Sequence, residues 1–276
     1  MHLQKNVQIC IFRHSISDIW GGCMVKIFHI FSAFLLLMTI TPITTFSSEK
    51  SICYNRDLRF LSTDSRVGRI QRPDSKSGCT ATLISRSCVI TAGHCNKKFK
   101  EVHFNVPLSS LEGKINPSEP HNIYQVEEDS VVFSEEAKGD DYAVMRLKAN
   151  EQTGFFPGDI QGHYPVYVGP IDIGSHIRVI GYGADRDEGQ KERNYAQQTS
   201  FADIKEVEEN YITYQADTWG GSSGSPVINI YDRIIAIHTH GDCDETGGRN
   251  SGTLVSRNRD LQVAIISCLQ WEKQNL

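Results

Sequence analysis

Short bursts of apolar residues recur along most of the chain, divided by Gly, Asn, Asp and Pro. Ala81–Ile84, Cys88–Thr91, Val131–Phe133, Tyr142–Leu147, Ile177–Ile180, Tyr211–Tyr214, Val227–Ile230 and Ile234–Ile237 are the clearest. Many short Val/Ile-rich runs with turn signals between them predict an all-β sandwich or barrel. One segment has a helical period instead. From Asp260 to Glu272, Leu261, Ala264, Ile265 and Cys268 fall on one face, with Asp260 as the expected N-cap. The stretch Ala184–Arg193 (ADRDEGQKER) reads as a solvated charged loop. No repeat and no low-complexity tract interrupts the pattern.

The N-terminus follows a different rule. Ile27–Ile40 is an apolar run preceded by Lys26, short for a membrane span but suited to a secretory signal. Small residues at Thr45, Ser47 and Ser48 offer a cleavage site. The expected organisation is a doubtful extension at 1–23 ahead of Met24, a signal peptide at 24–48, a polar candidate pro-segment at 49–66 and one folded domain at 67–276. The rival is an uncleaved anchor over residues 27–46. The whole chain has 276 residues, 39% hydrophobic and 22% charged, ordinary for a globular fold. A net charge of -5 with no basic patch argues against nucleic acid as a partner. Cys10 and Cys23 lie in the doubtful extension. The other six, Cys53, Cys79, Cys88, Cys95, Cys243 and Cys268, are an even set, as disulfides in an exported chain require. Secretion or export to a periplasm is therefore expected, as a monomer free of the membrane once the signal is cut.

Three stretches carry candidate chemistry. TWGGSSGSPV (218–227) has the look of a linker, but it stops at Pro226 and enters an apolar run. A serine that attacks a carbonyl needs a base beside it and an acid to orient the base. His94 stands in TAGHC, directly before Cys95 and in reach of a rigidifying bridge to Cys79. Asp141 opens the apolar run DYAVMRL. Taken singly, the histidine reads as structural and the acid as a solvated strand start.

Taken together, CTATLIS…VITAGHC, DYAVMRL and GGSSGSPV resemble the chymotrypsin-like serine endopeptidases, in the same order and with similar gaps of 47 and 82 residues. The resemblance spans about residues 67–272 and is nearest the bacterial glutamyl endopeptidases, which carry Ser-Gly-Ser-Pro. It implies two six-stranded antiparallel β-barrels packed together and a C-terminal helix. It also implies His94, Asp141 and Ser223 as the triad and the N–H groups of Gly221 and Ser223 as the oxyanion hole, with neither metal nor cofactor. Ser222 would replace an acid that pairs with the new N-terminus in trypsins, and Ser225 would be structural. Cys79–Cys95 matches the histidine-loop bridge. Of three pairings open to the other four cysteines, the implied fold favours Cys88–Cys268, leaving Cys53–Cys243.

For the substrates, proteins or peptides, two signals compete. Asp217 stands where trypsin-like enzymes bind Lys or Arg. Thr218 and His238 match positions that hold a substrate glutamate in the glutamyl branch, and acidic P1 residues are favoured on that ground. Gly252, within Ser251–Thr253, would line the far wall, and Thr239 would reach the triad acid. His238, His240 and Cys243 also form a His-x-His-x-x-Cys string, which lacks a fourth metal ligand. The remaining alternative is a non-catalytic homologue that binds without cutting.

Overall fold

The computed structural model describes residues 50–71, 78–96, 99–187 and 189–276. The expected extension and signal peptide lie outside the described residues.

Seven strands build the N-terminal half: β1 (Val67–Gln71), β2 (Cys79–Leu83), β3 (Cys88–Thr91), β4 (Glu101–His103), β5 (Ile123–Gln125), β6 (Val132–Glu135) and β7 (Asp141–Arg146). They form one antiparallel sheet in the order β5-β4-β1-β2-β3-β7-β6. The C-terminal half has β8 (His176–Gly181), β9 (Gln198–Val207), β10 (Tyr211–Tyr214), β11 (Pro226–Asn229), β12 (Ile234–His240) and β13 (Asn250–Leu254). Their order is β8-β11-β12-β13-β10-β9, and β9 pairs back onto β8 to close a six-stranded barrel.

The two halves thus differ from a pair of equal barrels. The N-terminal sheet curls without closing; an isolated bridge between Val126 and Leu147 draws the ends of β5 and β7 together. At the far edge of that sheet, both large apolar residues of β6, Val132 and Phe133, are exposed.

Strand alternation explains why so many runs are apolar throughout. In β7, Ala143 and Met145 enter the core of the N-terminal half. Tyr142 and Val144 face the other way, into a core shared with Ile180, Ile237 and the C-terminal helix residues Leu261, Ile265 and Cys268. Successive side chains point to opposite faces, and here both faces are covered. A third core, with Val179, Ile204, Tyr214 and Val227, fills the closed barrel.

The C-terminal helix runs Arg259–Asn275, and its cap is Asn258 rather than Asp260. Asn258 Oδ1 accepts the Leu261 N–H at 2.8 Å, while its amide donates to the Gly139 carbonyl at 2.8 Å. Asp260 sits in the first turn, where its charge suits the helix dipole.

Three disulfides brace this frame: Cys79–Cys95, Cys88–Cys268 and Cys53–Cys243. The last ties down residues 50–66, which are stitched onto the closed barrel. Lys50–Ser51 pairs with Thr218–Trp219, and Phe60–Leu61 pairs with the start of β9. Both oxygens of Asp217 accept backbone N–H groups from this strap, Cys53 at 2.8 Å and Leu58 at 2.7 Å.

Candidate active site

His94 lies in a tight turn, Gly93–Asn96, that follows β3. Asp141 is the first residue of β7, whose Ala143 pairs with Thr91. Antiparallel pairing therefore sets the end of β3 beside the start of β7. The turn fits only because residue 93 is glycine: a Cβ there would stand 1.7 Å from the Ser134 carbonyl oxygen. Asp141 is buried and grips His94 twice. Oδ1 accepts the His94 backbone N–H at 3.0 Å, and Oδ2 lies 2.6 Å from Nδ1. An ionised carboxylate has only lone pairs to offer, so Nδ1 carries the proton and Nε2 keeps its lone pair. The hydroxyl of Thr253 donates to the Asp141 backbone carbonyl at 2.8 Å. The sequence reading expected Thr239 to reach Asp141; its hydroxyl instead meets Nδ1 of His240 at 2.9 Å.

Ser223 sits in the turn between Trp219 and Pro226. The Thr80 N–H donates to the Ser223 carbonyl at 2.8 Å, and Cys95 Sγ lies 3.9 Å from the same oxygen. The serine backbone is thus held beside the residue that follows His94. The Gly224 N–H donates to the His238 carbonyl at 2.8 Å. The turn needs its glycines: Gly221 has φ +108° and Gly224 φ +87°. A Cβ on Gly221 would lie 2.4 Å from the Tyr182 carbonyl oxygen, and one on Gly224 2.1 Å from that of Thr80. Positive φ is open to glycine at no steric cost. The three serines differ in burial: Ser222 and Ser225 are buried, Ser223 is half-exposed.

The neighbouring pocket residues come from three strands. Thr218 is buried and accepts from the Asn250 amide at 3.1 Å. His238, on β12, is buried against Tyr214, whose hydroxyl is 2.8 Å from its Nδ1. Gly252, on β13, pairs with His238 of β12; a Cβ there would crowd the Ile237 carbonyl at 2.7 Å and the Tyr214 hydroxyl at 3.3 Å. The Ser251 hydroxyl is buried with no hydrogen-bond partner among the described residues. Burial pushes the Asp217 carboxyl up, while the strap N–H groups oppose that and occupy both oxygens. Sequence alone gave no signal for Tyr214 or Asn250, and it placed Thr253 in the pocket wall without its bond to Asp141.

Burial drives the His238 pKa down to about 3, helped by the positive forms of His240 and His94. The unfolded ring binds a proton near pH 6.5. Between those values the unfolded chain holds a proton that the folded chain refuses. The stability contributed by the neutral ring is complete above pH 6.5 and is lost as pH falls towards 3. His238→Gln should flatten the fall of Tm between pH 7 and 3.5. Equal slopes for variant and wild type would count against this assignment.

Among the described residues, Cys79, His94 and Cys95 bring ligand atoms within 4.8 Å of one another. Both sulfurs are spent in one disulfide and Nδ1 faces Asp141, so this trio does not suit a metal. Cys243, the end of the His-x-His-x-x-Cys string, is bonded to Cys53.

The trypsin family model matches residues 63–261. The extracellular metalloprotease of Bacillus subtilis (strain 168) is 30% identical over 188 residues, covering 62% of this chain and 54% of that protein. The chain therefore spans about half the length of that curated relative. A Glu endopeptidase solved in complex with MPD superposes with a TM-score of 0.61 at 18% identity, covering 79% of this chain and 99% of the other. The thermostable serine protease AL20 from an extremophilic microorganism gives 0.55 at 17%, covering 73% and 95%. Protease Anisep from Arthrobacter nicotinovorans gives 0.54 at 15%, covering 71% and 93%. At these identities the three solved structures speak for the fold.

Proposed function

The chain belongs to the trypsin family, and from that premise we propose that it is a serine endopeptidase that cuts after acidic residues through Ser223, His94 and Asp141. The carrying observation is the double grip of Asp141 on His94, which fixes the tautomer a base needs. His94 Nε2 takes the Ser223 proton as Oγ attacks the scissile carbonyl. The same proton then passes to the leaving amine, whose bond to carbon breaks. Water, deprotonated by His94, attacks the acyl carbon; the ester C–O bond breaks and His94 returns the proton to Ser223 Oγ, releasing the acid product. Asp141 stays ionised and stabilises the imidazolium. The N–H groups of Gly221 and Ser223 receive the oxyanion; Gly221's positive φ supports this role. The Bacillus relative's name invokes a metal, but the donor set around His94 does not favour one, and no step here needs it.

Acidic P1 preference rests on two features. Asp217, the acid a Lys or Arg substrate would need, already has both oxygens engaged by the strap. The Ser251 hydroxyl is a buried donor without a partner, on the strand beside His238. An arriving carboxylate could accept from it and from Thr218 and His238. Export is supported by the three disulfides and by an extracellular relative. The strap is disulfide-bonded through Cys53 and paired at Lys50–Ser51 with Thr218–Trp219, so residues 50–66 would stay attached to the domain rather than leave as a pro-segment. Cleavage-site profiling on a peptide library tests the preference: cuts should fall after Glu or Asp. Predominant cutting after Lys or Arg would overturn it and require Asp217 to leave the strap.

A further inference from the structure

The turn that presents Ser223 is closed by its own N–H groups, Ser222 to the Trp219 carbonyl and Ser225 to the Ser222 carbonyl, both at 2.9 Å, and its back rests on the strap. The Ala184 N–H donates to the Gly220 carbonyl at 2.9 Å. Arg59 Nη1 donates to the Ala184 carbonyl at 2.9 Å. The Arg59 guanidinium also lies over the Trp219 ring, 5.4 Å from its centroid. A Cβ added at Gly183 would stand 2.8 Å from Ser222 Oγ and 3.0 Å from Arg59 Nη1, so these two groups crowd one spot. Arg59 therefore touches the turn at Trp219, beside Ser222, and through Ala184 at Gly220.

Arg59 is an expensive residue to put there. Its side chain is 2% exposed. Asp57 holds Nε and Nη2 in a fork, at 3.0 and 2.7 Å, and Asp185 Oδ2 lies 3.3 Å from Nη2. Arg193 completes the group, 3.3 Å from Asp185, and donates to the Arg59 carbonyl at 2.9 Å. Burial alone would raise the Asp57 carboxyl, but Arg59 offsets this and holds it low. Buried charges are a poor way to gain stability, because desolvation cancels much of the attraction. What a planar, five-donor group supplies is fixed geometry. Upstream, Cys53–Cys243 and the Asp217 contacts hold the strap; downstream, Phe60–Leu61 pairs with β9.

Resting on the reading of Ser223 as the nucleophile, we infer that Arg59 is a positioning residue for the oxyanion turn. It keeps Gly220 and Gly221 in place from behind, so that the two N–H donors stay aimed where charge develops. The charged segment 184–193, which the sequence reads as solvated loop, is in part the wall of this device.

The test uses the full chain and compares wild type, Arg59→Met and Arg59→Lys. Three quantities are read: kcat and KM on a peptide substrate, affinity for a peptide boronate that forms a tetrahedral adduct on Ser223, and affinity for the product peptide. Complete loss of one oxyanion donor costs about 10²–10³ in kcat. Arg59→Met should lose roughly 30-fold in kcat as the donors drift. Boronate affinity should fall in parallel, with KM and product affinity within about threefold. Arg59→Lys keeps the charge but not the fork and should recover part of the loss. If Arg59→Met does not fold, Arg59→Lys decides, with a kcat loss of at least about fivefold at unchanged KM expected. The inference is overturned if a folded variant keeps kcat and boronate affinity within twofold of wild type. It is also overturned if product affinity falls as far as boronate affinity. A wild-type protein that neither hydrolyses peptides nor reacts with a fluorophosphonate would sink the reading of Ser223, and this inference with it.

Discussion

Replacing Ser223 by alanine should leave a folded protein whose kcat/KM is lower by roughly 10⁴–10⁶. The fold should tolerate the change because the residue is half-exposed and its structural bonds are made by the backbone. Its carbonyl still accepts from Thr80, and Gly224 still donates to His238. Stability should therefore move by no more than about 0.5 kcal/mol. What disappears is the nucleophile. Residual hydrolysis above the uncatalysed rate would come from binding and the oxyanion turn alone. A fluorophosphonate probe reads the same point directly: wild type is labelled and Ser223→Ala is not. A folded wild-type protein that stays unlabelled would favour the homologue that binds without cutting.

Asp141→Asn should cost about 10⁴ in kcat near neutral pH, with KM changed by only a few-fold. Asparagine is nearly isosteric and its carbonyl can still accept the His94 backbone N–H, now made to Asp141 at 3.0 Å. Its amide, however, donates towards Nδ1, where the carboxylate accepts at 2.6 Å. That reverses the tautomer: Nε2 then carries the proton and cannot take one from Ser223. The imidazolium also loses its counter-charge. Asp141→Ala adds a second penalty, since the part-buried His94 N–H loses its carboxylate acceptor, at about 1 kcal/mol of stability. Asn below wild type in kcat but near it in Tm, with Ala below both, is the expected pattern. An Asn variant with wild-type kcat would remove Asp141 from the mechanism.

Short continuous apolar runs located many of the strands, because in a two-sided β core each such strand is its own evidence. Cys88–Thr91 and Asp141–Arg146 are readable for that reason: almost every position is buried, one parity in each core. The candidate triad was legible too, since each member sits in a motif with its own local requirement, such as the glycine before His94 and the glycines around Ser223. The strap had no such mark. Residues 50–66 carry no period, and what fixes them is distant: Asp217 is 164 residues from Cys53, and Ala184 is 125 from Arg59. Thr253 on Asp141 and Tyr214 on His238 escaped notice for the same cause.

Sequence by itself determined the strands, the helix face and the residue types that the chemistry needs, because period, glycine and motif are local properties of a chain. Tertiary structure alone decided which barrel closes, which carboxylate the strap engages and which arginine stands behind the turn at Ser223. Those outcomes depend on the burial of charges and on hydrogen bonds between residues far apart in sequence, and no local pattern records them.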